Sequence, residues 1–499
     1  MTEEEKKTDA AVKKNYEPPK GSITTHQLSA GGQNISYKAH AEWIVLHKKD
    51  KPLSDMFHVA YMAKNKGENR PITFVLNGGP GAASAYLHLG ALGPKKVLFN
   101  DDGTAPKPPV KLIDNKDTWL SFSDLVFIDP IGTGFSRMLD EEEINKGKDK
   151  ENKQKIDDKE YFKLNRDLES LGEFIQRFLS KHGRWESPVY IAGESYGGFR
   201  VACLAKRLQQ GHGVGLNGVI VISPALEFIL LNPSDYDIQG WADEFPSLAL
   251  AAMWHGKSKI FKKGTPIDEV LKSAEDFAHN EMVRMLSMGN IMNGDEKAII
   301  IKKMADYLGI SEEKLKKAEG RIPFWKFSRM LLKDENKVIG YYDSSVQGVD
   351  PYPDRESFEG PDPTLFGNER IFAAGINAHI RKNLGIETDR DYHLLNMEVN
   401  QSWKFEEAHA FLRQVGATDE LRYGMALNPH MKVFITHGYH DLVTPYYSSK
   451  RLVAQMRLDP ELSKNITMKN YCGGHMFYSW KESREQFKKD IFKFIEESR

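Results

Sequence analysis

The stretch PVYIAGESYGGFRVACLAKRLQQ, residues 188–210, joins a short apolar run to a helical pattern through a turn in which glycines flank Ser195. Such a turn presents a serine hydroxyl at the carboxyl end of a strand, and bulky neighbours would clash there. The pattern G-x-S-x-G is common by chance, but its position between a strand and a helix favours a nucleophile. We therefore predict a nucleophilic Ser195; the alternative is an ordinary strand-to-helix turn.

Other short apolar runs predict a sheet around this turn. They lie at 71–76, 124–129, 188–193, 218–223, 431–438 and 466–471. Continuous apolar runs of this length suit strands that are buried on both faces. Helical patterns alternate with them, which predicts a mostly parallel, doubly wound α/β sheet. Two longer segments, 36–47 and 56–65, predict an antiparallel pair.

The sequence between two late strand patterns is long and mainly helical. We interpret residues 226–427 as a cap inserted into the sheet-containing core, and residues 23–225 together with 428–499 as that core. Residues 1–22 are rich in charge and contain Pro18 and Pro19 near their end. We expect them to form a disordered or loosely attached tail.

The composition excludes several classes of function. A net charge of −1 gives no sign of the basic face that nucleic-acid binding needs. No stretch approaches the roughly 18 apolar residues of a membrane span, and the N-terminus lacks the apolar run of a secretory signal. The only cysteines are Cys203 and Cys472, which leaves no disulfide framework and no CxxC metal pattern. We expect a cytoplasmic protein, and nothing indicates a metal or an organic cofactor.

A nucleophilic serine needs a base and a residue that orients the base. Asp441 and His475 each follow one of the two last strand patterns. The order serine, acid, histidine is the one expected after a turn of this type. We predict that Ser195, Asp441 and His475 form a catalytic triad, with His440 as the reserve base.

The stretch LNGGPGAAS (76–84) follows the first of the parallel strand patterns. Consecutive glycines leave backbone N–H groups unshielded, which suits an oxyanion hole. One donor is expected in such an early loop and the other on the residue after the nucleophile. We predict the backbone N–H groups of Gly79 and Tyr196 as these donors; the alternative is a turn without a ligand.

Several motifs together resemble the serine carboxypeptidase family: NGGPG (77–81), DPIGTGFS (129–136), GESYGG (193–198), the Asp441 loop and GHM (474–476). They fall in the family's order and span most of the chain. The resemblance implies an α/β-hydrolase fold with an inserted helical cap. It also implies that a peptide substrate loses its C-terminal residue through an acyl-enzyme, with the triad and oxyanion hole named above.

The resemblance further implies a site for the substrate's terminal carboxylate, formed by Asn77, the Gly78 backbone and Glu194, with Met476 lining the pocket of the leaving residue. An ionised Glu194 cannot hydrogen-bond a carboxylate, so it must be protonated or share a proton. We therefore hypothesise that peptidase activity is highest at acidic pH. The alternative for Glu194 is an acid buried for packing.

The sequence departs from the family at two places. Ala82 and Ala83 stand where a disulfide-bonded cysteine is usual, which suits a reducing compartment. Ala91 stands where a second carboxylic acid partners the first, so the carboxylate-binding network is incomplete. His88, one helical turn earlier, is either a charged substitute or, as we favour, a packing residue. This departure puts strict exopeptidase specificity in question.

Two other classes of function stay open. One is a different serine hydrolase on the same scaffold: an esterase, an amidase, an aminopeptidase or an acyltransferase. The other is an inactive binding protein, against which the intact triad residues argue. The sequence declares no partner chain, and the oligomeric state is open.

Overall fold

The computed structural model describes residues 16–48, 51–64, 67, 69–145, 157–355, 359–405 and 415–499. Most of the predicted tail at 1–22 lies outside these residues. The strands are β1 (Ser22–Ala30), β2 (Gln33–Lys48), β3 (Lys51–Ala63), β4 (Ile72–Leu76), β5 (Lys95–Val97), β6 (Leu112–Asp114), β7 (Asp124–Ile128), β8 (Arg137–Met138), β9 (Val189–Glu194), β10 (Gly218–Ile222), β11 (Lys337–Ile339), β12 (Gln347–Val349), β13 (Lys432–Gly438) and β14 (Ile466–Tyr471).

Ten of the strands in the described residues form one sheet in the order β1-β2-β3-β7-β4-β9-β10-β13-β14, with β8 paired to β3. The N-terminal strands pair antiparallel, and the pairs from β7 to β14 are parallel. This arrangement confirms the predicted mostly parallel sheet. Leu76 lies opposite Gly193 in the register of β4 and β9, so the loops that follow these two strands emerge side by side.

The α-helices are α1 (Ala85–Leu87), α2 (Glu141–Asn145), α3 (Leu164–His182), α4 (Tyr196–Gly211), α5 (Phe228–Leu231), α6 (Gln239–Trp254), α7 (Ile267–Phe277), α8 (Val283–Met288), α9 (Gly294–Leu308), α10 (Glu312–Lys317), α11 (Phe324–Met330), α12 (Leu365–Ala378), α13 (Met397–Ser402), α14 (Thr418–Leu427), α15 (Tyr446–Gln455), α16 (Pro460–Ser463) and α17 (Lys481–Glu497). No helix in the described part of the chain has the length and apolar character needed to cross a membrane.

The central strands β4, β7, β9 and β10 are buried along their whole length. Alternate side chains enter two hydrophobic cores, one on each face: Phe74 packs with helices α3 and α4, whereas Val75 packs with α12 and α17. Because each face needs apolar residues, these strands read as continuous apolar runs in the sequence.

The segment inserted between β10 and β13 contains a third hydrophobic core, built mainly from α6 to α11. Asp243 on α6 accepts hydrogen bonds of 2.9 Å from the guanidinium of Arg451 on α15, which ties this body to the sheet-containing core. The later part of the insertion packs differently, since Phe372 on α12 belongs to a core of the sheet. The boundaries at 226 and 427 stay a prediction.

The turn between β9 and α4 is sharp and strained. Ser195 has φ 61° and ψ −124°, a backbone region that non-glycine residues rarely adopt. Its N–H donates to the Ile222 carbonyl at the end of β10 (3.0 Å). A side chain on Gly193 would place its Cβ 2.0 Å from the Gly197 carbonyl oxygen. Glycine at 193 therefore allows the helix to turn back tightly over the strand.

We predict that Gly193→Ala lowers the free energy of unfolding by about 3 kcal/mol or more, because a rigid backbone atom occupies the space of the new methyl group. The matched control is Gly215→Ala, where nothing lies within 4 Å of the added Cβ, and its change should stay within about 0.5 kcal/mol. Chemical denaturation of both variants measures this. Equal stabilities would contradict the described turn.

Candidate active site

One pocket collects most of the predicted site residues at the carboxyl edge of the sheet. It is lined by Asn77, Gly78, Gly79, Ala82, Tyr86, Glu194, Ser195, Tyr342, Leu365, Leu395, His475 and Met476. Tyr196 follows Ser195 at the start of α4, and Asp441 lies behind His475. The structure thus brings the sequence-predicted residues together, while the role of each stays a prediction. A second cavity shares Tyr342 and Met476 with this pocket.

His475 and Asp441 form a buried pair. The Asp441 Oδ2 atom is 2.7 Å from His475 Nδ1, and the Thr444 hydroxyl lies 3.2 Å from the same nitrogen. Asp441 also accepts hydrogen bonds from the backbone N–H groups of Val443 (2.8 Å) and Thr444 (3.0 Å) and from the Thr444 hydroxyl (2.7 Å). These donors fix the carboxylate, which in turn orients the imidazole with Nε2 available for a reacting group.

The His475 ring is positioned from both sides. Its backbone N–H donates to the Tyr342 carbonyl (2.6 Å), and the two rings meet edge to face. Burial alone would lower the pKa of His475, but the Asp441 carboxylate, and Glu194 more weakly, raise it above its usual value. Within the described residues, no hydrogen bond joins the Ser195 hydroxyl to this ring; catalytic hydrogen bonds often tighten only when substrate binds.

The predicted oxyanion donors lie on two loops that touch. An added Cβ on Gly78 would lie 2.5 Å from the Tyr196 nitrogen and 2.9 Å from Ser195 Cβ. Glycine at 78 therefore lets the NGG loop (residues 77–79) pack directly against the start of α4. The two loops that carry the predicted donors, Gly79 and Tyr196, are therefore in contact beside Ser195, and their role as an oxyanion hole stays a prediction.

Glu194 lies beneath the nucleophile, buried at 3% exposure. Its Oε2 atom accepts a hydrogen bond from the Asn77 amide, whose own oxygen accepts from the Leu87 N–H (2.9 Å) and so fixes which way the amide points. Burial raises the pKa of Glu194 to about 7, although His475, Tyr478 and Asn77 act in the opposite direction. A carboxyl group in this state can donate a hydrogen bond into the pocket near neutral pH.

A family model described as serine carboxypeptidase matches residues 31–489. The chain belongs to the serine carboxypeptidase family. Among curated proteins, serine carboxypeptidase-like 5 of Arabidopsis thaliana is 28% identical over 238 residues, which cover 45% of this chain and 48% of that protein. The pheromone-processing carboxypeptidase KEX1 of Phytophthora infestans is 31% identical over 172 residues, which cover 32% of this chain and 24% of that protein. These matches therefore span about half of the relatives' length or less.

A solved structure supports the fold. The prohormone-processing carboxypeptidase KEX1 from Saccharomyces cerevisiae aligns over 92% of this chain and 91% of its own, with a TM-score of 0.54 and 17% sequence identity. Together with the family membership, this confirms the predicted α/β-hydrolase architecture with its insertion between late strands.

The other candidate histidines lie outside the pocket. His440, the reserve base, is fully buried and packs edge to face against Trp254. His88 lies 2.6 Å from the Tyr61 hydroxyl and stacks on Phe127 at 4.1 Å between ring centres. Burial lowers the pKa of both imidazoles, so neither supplies a positive charge near neutral pH. His88 therefore does not replace the acid missing at Ala91.

Two tyrosines next to Glu194 were not anticipated from the sequence. The hydroxyls of Tyr86 and Tyr478, and Glu194 Oε1, are buried and lack a hydrogen bond of good geometry. Tyr478 nevertheless lies close enough to lower the pKa of Glu194. Its ring packs on the segment that contains Ala91, since a Cβ added to Gly90 would lie 2.6 Å from it. No sequence pattern marks this residue, because only the fold brings it to Glu194.

Arg200 is a second residue that the sequence did not reveal. It is 1% exposed and forms hydrogen bonds with the Asp167 carboxylate (2.7 and 3.2 Å) and with the Asn77 and Gly78 carbonyls (3.0 and 3.3 Å). Its guanidinium also stacks on the Tyr196 ring at 4.9 Å. Arg200 therefore joins α3, α4 and the NGG loop, and it holds the loop of the predicted oxyanion donors without lining the pocket.

We predict that Arg200→Met lowers the free energy of unfolding by about 3–5 kcal/mol, because it leaves the buried Asp167 carboxyl without its cation. The double variant Asp167→Leu, Arg200→Met should recover most of this loss, since no buried charge remains. Arg207→Met on the same helix, where the partly buried Arg207 contacts Asn165, is the control and should change little. Denaturant titration compares them; a harmless Arg200→Met would refute the assigned role.

Proposed function

We propose that this chain is a serine carboxypeptidase that releases the C-terminal residue of peptides through an acyl-enzyme. One observation carries the proposal: Glu194, a buried carboxyl with a pKa raised to about 7, is the residue before Ser195 and lines the same pocket. A site that only needs a nucleophile does not require a protonated acid next to the serine. An enzyme that recognises a free carboxylate beside the scissile bond does require one, because a protonated carboxyl group can donate a hydrogen bond to that carboxylate.

In the proposed reaction, Ser195 Oγ attacks the carbonyl carbon of the last peptide bond while His475 Nε2 accepts its proton. Asp441 stabilises the imidazolium at a distance of 2.7 Å. The N–H groups of Gly79 and Tyr196 stabilise the negative oxygen. His475 then protonates the departing amino group, the C–N bond breaks, and water hydrolyses the resulting ester with His475 again as base.

The terminal carboxylate is held on the Glu194 side of the pocket in this proposal. Glu194 donates its proton, the Gly78 N–H adds a second hydrogen bond, and Asn77 keeps the Glu194 side chain in place through its amide. Met476 lines the pocket beside His475 and contacts the leaving side chain. This arrangement favours substrates with a free carboxylate over their amidated forms.

The experiment compares an N-blocked dipeptide, its C-terminally amidated twin and an aryl ester. We expect kcat/KM for the free acid to exceed that for the amide by about tenfold or more, since one hydrogen bond to a charged group contributes about 1.5–3 kcal/mol. Ser195→Ala should retain the fold and lose nearly all turnover, because the attacking group is gone. Mass spectrometry of a mixed peptide pool should show loss from the C-terminus alone.

A second candidate is an esterase, amidase, aminopeptidase or acyltransferase on the same scaffold. The buried Ala91 favours it, because this position lacks the second carboxylic acid of the family pattern. Equal rates on the free acid and the amide, or a strong preference for the ester, would support this candidate. No labelling of Ser195 by a fluorophosphonate would instead support an inactive binding protein.

The proposed roles predict a distinctive pH dependence. His475 must be neutral to act as base, and its raised pKa sets the acidic limb of kcat/KM. Glu194 must be protonated to hold the terminal carboxylate, so KM for free-acid substrates should rise as the pH passes about 7. Substrates without a free carboxylate should lack this alkaline limb.

Tyr478→Phe tests the environment of Glu194 without a change of shape. Burial and the Glu194 carboxyl raise the pKa of Tyr478 well above its usual value, so the phenol stays a donor and lowers the pKa of Glu194. Its loss should move the alkaline limb upward by about one pH unit. Tyr471→Phe, whose hydroxyl bonds Asp490 (2.8 Å) instead, is the control. An unmoved limb would exclude Tyr478 from this role.

The cellular location stays a prediction. Cys203 and Cys472 are both free thiols, which supports our proposal of a reducing compartment such as the cytoplasm. Fractionation of cells that express the chain, followed by immunodetection, tests it.

A further inference from the structure

Three side chains outside the active-site pocket converge where β2 and β3 meet the C-terminal end of α3. Glu42 on β2 lies directly opposite His58 on β3 in the antiparallel register, and His182 is the last residue of α3. Cross-strand partners on one face lie close enough for their side chains to meet. The ligand atoms of the three side chains all lie within 4.8 Å of one another, which makes this a possible metal-ion site among the described residues.

The distances are close to those of a zinc site. His58 Nε2 lies 3.8 Å and His182 Nε2 3.6 Å from Glu42 Oε1. Around tetrahedral Zn²⁺, bonds of about 2.0–2.1 Å place neighbouring ligand atoms roughly 3.3 Å apart. Each of these pairs therefore needs to close by only a few tenths of an ångström. Two histidines and one glutamate also form a known zinc-binding set that leaves one position for water.

The polar atoms of the cluster lack other partners. Glu42 Oε1, both ring nitrogens of His58 and His182 Nε2 are buried and form no hydrogen bond. A buried polar atom without a partner costs about 1–3 kcal/mol, and folded proteins contain few of them. His58 is fully buried, with the rings of Phe174 and Phe178 at 5.0 and 5.4 Å. A bound cation would satisfy several of these atoms together.

The surroundings offer one competing explanation. Lys181 Nζ lies 2.9 Å from Glu42 Oε2, and the His40 ring lies 5.5 Å from that of His182. A network of Lys181, His182 and Glu42 needs no metal. That network, however, uses neither nitrogen of His58, and Lys181 binds Glu42 Oε2 rather than the Oε1 atom that the two histidines approach.

We propose that Glu42 Oε1, His58 Nε2 and His182 Nε2 bind one Zn²⁺ ion, with water as the fourth ligand. The ligand atoms themselves are buried, but the side chains of Glu42 and His182 reach solvent (19% and 12% exposed), which is the source of the water ligand. The ion ties the β2–β3 pair to the end of α3, so its role is structural. Nothing in the sequence marks this site, because residues 42, 58 and 182 do not match any short metal-binding pattern.

The test uses the full chain after treatment with a chelator and dialysis. Calorimetric titration with Zn²⁺ should show one ion bound per chain, and the melting temperature should rise with the Zn²⁺ concentration. His182→Gln should weaken binding by about 100-fold or more, since loss of a group that only supports a ligand already costs roughly 10–100-fold. His430→Gln, at an exposed histidine, is the matched control and should bind as the unaltered chain does.

Binding of Co²⁺ gives a readout that does not depend on any variant. The unaltered chain should show the intense visible absorption of tetrahedral cobalt, and Zn²⁺ should displace it. Glu42→Gln repeats the test of His182→Gln through a second ligand. The proposal is wrong if the unaltered chain binds neither ion, which leaves the network of Lys181, His182 and Glu42, or if both variants bind Zn²⁺ as tightly as the control. None of these outcomes depends on peptidase activity.

Discussion

The close approach of the NGG loop to the turn at Ser195 is the constraint on which the site depends. Ser195 must adopt a strained backbone, and the loop must approach so closely that Gly78 has no space for a side chain. Neither condition persists without support, because local strain costs about 1–3 kcal/mol. Arg200 supplies that support from behind, through hydrogen bonds to the two loop carbonyls and to Asp167. The geometry at Ser195 therefore rests on the buried pair of Arg200 and Asp167, neither of which lines the pocket.

The site also couples two groups with opposite requirements. In the proposed reaction, His475 has to lose a proton to act as base, and Glu194 has to keep one to recognise a carboxylate. Each influences the other, since Glu194 raises the pKa of His475 and His475 lowers that of Glu194. Their titrations therefore belong to the pair rather than to either residue. Burial offsets this coupling by raising the pKa of Glu194. This widens the range of pH in which a neutral His475 coexists with a protonated Glu194.

The sequence predicts the parts of the site that local chemistry marks. The strand before Ser195, the loops that carry Asp441 and His475, and the glycines at 78 and 79 all have short-range signals. The structure brings Ser195, His475 and the two glycines to one pocket, with Asp441 behind His475. Arg200, Tyr478 and the Glu42 cluster have none, because their partners lie 16 to more than 280 residues away along the chain. The sequence does not reveal the extent of the cap either. Apolar periodicity predicts α12 as a helix, but not that Phe372 packs against the sheet's core.

Ala91 stands at the position of the family's second acid, which changes the surroundings of the Glu194 carboxyl but leaves that carboxyl in place. Two facing carboxyl groups cannot both ionise easily, so they share a proton and one of them keeps a high pKa. Here Ala91 offers no such partner, and Tyr478 is a phenol that burial keeps protonated. Toward an ionised Glu194, this phenol acts as a hydrogen-bond donor, so it stabilises the charged carboxylate and lowers the pKa of Glu194. A second carboxyl group would instead help Glu194 to keep its proton. The raised pKa of Glu194 then comes mainly from burial, with a smaller contribution from the Asp441 carboxylate. Under the proposed function, the depth of this side chain, rather than a shared proton, sets carboxylate recognition.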